Sequence, residues 1–140
     1  MIALMMVSQG ADVGGESAVV PVDGAVTEVF VMETPGHTSF AYLPHTISVR
    51  NDESGEVRSA TIVSYNPRTQ ATRPGDQIGA RSTMEFACAR QSYREMRTVS
   101  QRMSGEQVEV VPANPARPFF QTRPGSYERL LADAICAVRL

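Results

Sequence analysis

The chain has 140 residues, of which 42% are apolar, and carries a formal net charge of -2. That length supports one domain with its own core, because a chain of this size buries roughly two thirds of the surface exposed by its unfolded form. The charge balance gives no electrostatic reason to expect nucleic acid or an anionic membrane surface as a partner. All 13 basic side chains are Arg, which a genomic bias toward arginine codons accounts for without a functional role.

The chain opens on MIALMMVSQGADVGGES, a short apolar run followed by small and polar residues. We read it as the tail of a signal peptide that starts upstream, with Ser8 and Gly10 as the small pair before a cut ahead of Ala11. The run is shorter than the usual apolar region and lacks a basic lead, so a frayed apolar N-terminus is the alternative. No cysteine stands near it to suggest a lipid anchor, and no later run approaches the roughly 18 apolar residues of a membrane span. Residues 1–25 are therefore expected to be a signal-peptide remnant and flexible leader, and 26–140 a single folded domain.

From Val26 the apolar residues favour period two, in VTEVFVME, FAYLPHTISV, EVRSATIVSY, RSTMEFACAR, SYREMRTVSQRM and EQVEVV. These are strand candidates. The breaks ETPGHTS, RNDESGE, NPRTQATRPGDQIG and MSGEQ carry turn residues, and their shortness implies hairpins and an antiparallel sheet. TRPG occurs at Thr72 to Gly75 and again at Thr122 to Gly125 with unrelated flanks, which reads as a repeated turn.

After the Pro-rich VPANPARPFFQTRPG the period changes to three and four, at Tyr127, Leu130, Leu131, Ala134, Ile135 and Val138. This spacing predicts an amphipathic helix with Ser126 as N-cap, Glu128 in the first turn and Arg139 near the end, signs that suit the helix dipole. The fold expected is α+β: a meandering antiparallel sheet of about five or six strands with one C-terminal helix packed on it.

Cys88 then falls in a strand and Cys136 late in the helix. Three readings stand: a staple between helix and sheet, two buried free thiols, or a reactive thiol. The even count and the export reading favour the staple, and the spacing is far from a CxxC redox or zinc motif. A bridge closing a loop of roughly 50 residues contributes about 4 kcal/mol, a large share of a small domain's stability.

The succession FACARQSYR, a strand pair turning at MSGEQ, a Pro-rich loop, RPGS and a helix ending in IC resembles the surface-adhesin protein E-like domain of Gram-negative cell envelopes. The matching positions are Cys88, Tyr93, Arg94, Gly105, Pro124, Gly125, Ser126 and Cys136, with the likeness strongest from Met84 to Cys136 and continuing upstream into LPHTISVRNDESGEV. The chain departs from the family at Leu43, often acidic there, and at Phe119 and Phe120, where a Trp often precedes PGS. The resemblance implies a curved sheet with the helix upon it, a strand-to-helix disulfide between Cys88 and Cys136, and a periplasmic or cell-surface location. It implies no catalytic centre and no cofactor.

For chemistry the chain offers His37 and His45, each beside hydroxyl residues and able to serve as a base in a small hydrolase. Exposed turn histidines are the simpler account. The oxygen ligands of Asn51 to Glu56 read as a solvated hairpin tip before a calcium site, and Met84, Met96 and Met103 as gap fillers before a soft-metal site, so no metal site is expected. Arg90, Tyr93, Arg94 and Arg97, with Phe119 and Phe120 of the loop, form the candidate binding face, since Arg and aromatic residues are enriched at protein interfaces. The expected function is non-catalytic binding of a protein or envelope component, with a hydrolase or thiol enzyme as the alternative. Open sheet edges leave room for a homodimer.

Overall fold

Period-two patterning resolves into long antiparallel strands in the computed structural model, which describes residues 27–140. The expected signal remnant and leader, and the start of the first strand at Val26, lie outside the described residues. The elements are β1 (Val29–Glu33), β2 (Ser39–Asp52), β3 (Gly55–Tyr65), β4 (Gln77–Ala87), β5 (Ser92–Arg102), β6 (Gln107–Val111), β7 (Phe120–Gln121) and α1 (Tyr127–Cys136), with a 3-10 turn at Arg68–Gln70. The first six strands meander in sequence order. The outer edge of β5 is shared, pairing with β6 from Thr98 to Gln101 and with β7 at Ser92 and Tyr93. The short β7 is the one strand that periodicity does not reveal, since two residues carry no period.

One face of the sheet is apolar because alternate residues of three adjacent strands stack in register. Tyr42 pairs with Ile62, and Ala60 with Met84, while Phe86 follows one step along the same face. Leu131, Ala132 and Ile135 of α1 close this core, and Phe86, Leu131 and Ile135 are fully buried. Burial of each such side chain contributes about 1.5–3 kcal/mol. A helix of 10 residues is marginal in water, so α1 depends on this packing.

The helix starts where its signals place it. Arg123, Pro124, Gly125 and Ser126 make a turn closed by the Ser126 N–H on the Arg123 carbonyl at 3.1 Å. Gly125 takes the φ of +82° that a type II turn requires after its proline. Ser126 Oγ then accepts from the Arg129 N–H at 3.2 Å, capping the first turn. The end differs from expectation: the helix stops at Cys136, so Val138 and Arg139 lie beyond it. The cause is on the sheet. Arg58, 9% exposed, donates through Nη1 to the carbonyls of Ile135 at 2.9 Å and Val138 at 2.7 Å, giving the chain a way to leave the helix with its carbonyls satisfied.

At the other end of β4, a register irregularity between Gln77 and Gly79 lets the strands approach closely. A Cβ on Gly79 would stand 2.4 Å from the Ser64 carbonyl oxygen. The first TRPG also forms a turn, with the Asp76 N–H on the Arg73 carbonyl at 3.0 Å. Among the described residues no helix is long and apolar enough to cross a membrane.

Candidate functional site

The corner between β4 and β5 is built by three constraints on a four-residue turn. Cys88 stands one residue past the end of β4 and is bonded to Cys136 with a Cα–Cα distance of 5.9 Å, so the disulfide runs from the strand's end to the helix's last residue. Gln91 holds a left-handed φ of 53°. The chain returning in β7 grips its carbonyl, which accepts from the Thr122 N–H at 2.9 Å and the Thr122 hydroxyl at 2.7 Å, while Gln121 Nε2 donates to the Arg90 carbonyl at 3.1 Å. Arg90 lies in this turn and not in a strand.

The expected binding residues do not share one surface. Phe119 and Phe120 are neighbours on extended backbone and so address opposite faces of the sheet's edge. On one side, the guanidinium groups of Arg90 and Arg94 lie 5.1 and 4.5 Å from the centroid of Phe119. On the other, Phe120 meets Tyr93 with ring centroids 6.3 Å apart. Burial, and then the nearby Glu128 carboxylate, raises the Tyr93 hydroxyl above its ordinary pKa, so it is neutral at physiological pH.

Arg94 is occupied internally. It reaches Glu85 through Nε at 2.9 Å and Nη2 at 2.8 Å, and its Nη1 donates to the carbonyls of Pro115 and Arg117 at 3.1 and 2.9 Å. Arg97 pairs with Glu109 on β6. What stays available is Arg90, which is exposed over the Phe119 ring, and, on the opposite face, Phe120, which is 54% exposed. An exposed cation over an aromatic ring contributes about 0.5–1 kcal/mol, enough to orient the pair without hiding it.

Sequence reading missed Arg117, which ties the Pro-rich loop to β5. Arg117 donates through Nη1 to the Glu95 and Met96 carbonyls at 2.8 and 3.3 Å, beside the register shift that sets Met96 apart from the ladder. Bulged strands leave carbonyls unpaired, yet neither the bulge nor its donor has a signature in spacing alone.

The histidines are apart. His37 sits in the β1–β2 turn with φ of 69° and shares a 2.6 Å hydrogen bond with Glu33, and His45 is exposed in β2. The Thr46 hydroxyl is used in the backbone, donating to the Leu43 carbonyl at 2.6 Å and accepting from the Thr61 N–H at 2.9 Å. In the hairpin tip after β2, Asp52 accepts from the Ser54 N–H and hydroxyl at 2.8 and 2.9 Å, which holds its carboxyl below the usual range. Among the described residues no group of three or more His, Cys, Asp or Glu is arranged to hold a metal ion.

A concavity of about 690 Å³ lies at the Gly79 end of β4. Comparison of the chain with protein-family models, with curated proteins and with solved structures finds no match.

Proposed function

We propose that the protein is an exported, non-catalytic component of a Gram-negative cell envelope, periplasmic or surface-exposed, that binds a protein or another envelope component. The observation that carries this reading is the β4–β5 corner: Arg90 over Phe119 on one face and the exposed Phe120 on the other flank a sheet edge that a disulfide and three hydrogen bonds hold in place. Arginine and aromatic residues held rigidly bind with little loss of side-chain freedom. A disulfide between the strand's end and the helix supports an oxidising compartment, since such bonds persist outside the cytoplasm. The order of Cys88, Tyr93, Arg94, Gly105, RPGS and Cys136 resembles the protein E-like domain, and supports the same location. Among the described residues β1 is an edge strand, with Phe30 54% exposed, and it is where a second copy would pair.

The test has two arms. The intact mass of the chain from its host's envelope fraction, with and without reductant, should begin near Ala11 and rise by two hydrogens on reduction; a reduced chain confined to the cytoplasm would refute export. Photo-crosslinking from position 121 in that host should give a discrete adduct that Arg90→Glu and Phe120→Ala each abolish, and adducts indifferent to both changes would refute the corner.

A further inference from the structure

Strands β3, β4 and β5 each contribute to the concavity at the far end of the sheet. Gly79, paired with Tyr65 on one side and Gln101 on the other, lies in its lining with its backbone packed close against the Ser64 carbonyl. Val63, Ile78, Val99 and Met103 supply apolar walls and Gln101 a neutral polar group. At about 690 Å³ the space falls in the range of small-molecule sites.

Its charge is the distinguishing feature. Arg81 projects from β4 between Val63 and Val99, its register neighbours, and is exposed. Six arginines stand on the strands. Arg50 and Arg94 share Glu85, Arg58 pairs with Glu56 and Arg97 with Glu109, while Arg102 donates to the Gly75 carbonyl at 2.9 Å. Arg81 alone has neither an ion pair nor a side-chain hydrogen bond to a described residue, and among the described residues the lining itself holds no Asp or Glu, the nearby Glu28 carboxylate being engaged by the Tyr65 hydroxyl at 2.8 Å. An exposed guanidinium without an ion-pair partner among the described residues, beside apolar walls, is complementary to an anionic head on an apolar body.

We propose that this concavity binds a free medium-chain carboxylate, its head on Arg81 and its hydrocarbon along Val63, Val99 and Met103. The site is separate from the Arg90 corner, at the opposite end of β4, and does not depend on that corner's partner.

The test uses the full, oxidised chain with sodium decanoate, followed by calorimetry and by methyl NMR, below the concentration at which decanoate forms micelles. Saturable binding with shifts at the Val63 and Val99 methyls is expected. Arg81→Gln should weaken it by about tenfold or more, as loss of a charge-assisted hydrogen bond requires, and decanol should bind as weakly as that variant. Met103→Glu, which places a like charge on the wall, should abolish it and serves as an independent variant. No saturable binding, or binding unchanged by Arg81→Gln, overturns the proposal. Binding seen only with phosphatidylglycerol vesicles overturns it in favour of a lipid surface, and a dimer that Arg81→Gln dissociates while decanoate has no effect overturns it in favour of a second copy.

Discussion

Replacing both Cys88 and Cys136 with Ala removes the one covalent tie between α1 and the sheet, and its cost follows from the 48-residue separation between the two. Closing a loop of that length removes unfolded-chain entropy equivalent to about 4 kcal/mol at room temperature. The native state keeps its other attachments: Phe86, Leu131 and Ile135 remain buried, and Arg58 still holds the two carbonyls at the helix end. The double variant should therefore fold, with stability lower by about 4 kcal/mol and a melting temperature lower by about 15 °C. Guanidinium unfolding followed by far-UV circular dichroism measures this directly. The slope of stability against denaturant should rise as well, because an uncrosslinked unfolded chain exposes more surface. Reduced wild-type protein should give the same curve. A loss under about 1 kcal/mol with an unchanged slope would refute the argument, since it would mean that the bridge does not constrain the unfolded chain.

Arg58→Met removes the side-chain donor from the Val138 carbonyl and leaves the Ile135 carbonyl only backbone donors such as the Val138 N–H, and should cost about 1–3 kcal/mol in urea unfolding, with Arg58→Lys recovering only part because an ammonium lacks the guanidinium's fixed fork. Gly79→Ala drives a methyl into the Ser64 carbonyl oxygen and should cost about 1–3 kcal/mol, read as a lowered melting temperature with displaced Ser64 and Tyr65 amide resonances. Asp76 accepts the Thr72 and Arg73 N–H groups at 3.0 Å each, which holds its carboxyl below the usual range. Its contribution is full above the unfolded value of about 3.9 and is lost as pH falls through the lower folded value; Asp76→Asn should therefore flatten the melting temperature between about pH 4 and 2 relative to wild type.

The strands and helix were legible because their patterns are long. Eleven residues of β3 carry enough alternation to fix its faces, and Ser126 with the apolar spacing after it fixes the helix start. The helix end was misplaced at Val138 because its cause is Arg58, 77 residues upstream of Ile135, and a pairing so distant leaves no local period. Cys88, read as within a strand, sits just past one for a related reason: alternation continues through ACAR, but the turn geometry at Gln91 ends the ladder at Ala87. The binding face was legible by residue type and not by side. Counting alternate positions would have placed Arg94 with Arg90, as found, yet nothing in the spacing shows that Glu85 and the carbonyls of Pro115 and Arg117 already occupy Arg94.

That occupation decides which arginines are open to a partner. An arginine paired inside its own chain must break those bonds before it can bind elsewhere, whereas one without such bonds loses only hydration and side-chain freedom. Arg94 and Arg97 are of the first kind, holding loop and edge strand in place. Arg90, stacked on a half-exposed ring, and Arg81, without a carboxylate partner among the described residues, are of the second. Arg90 stands in the turn past the end of β4, at a corner fixed by the disulfide, and Arg81 stands midway along that strand, in the concavity that opens toward its Gln77 end. Rigid aromatic corners suit a macromolecular surface, and an open concavity with apolar walls and one charge suits a small anion, so the same sheet separates the two kinds of binding by position and by shape.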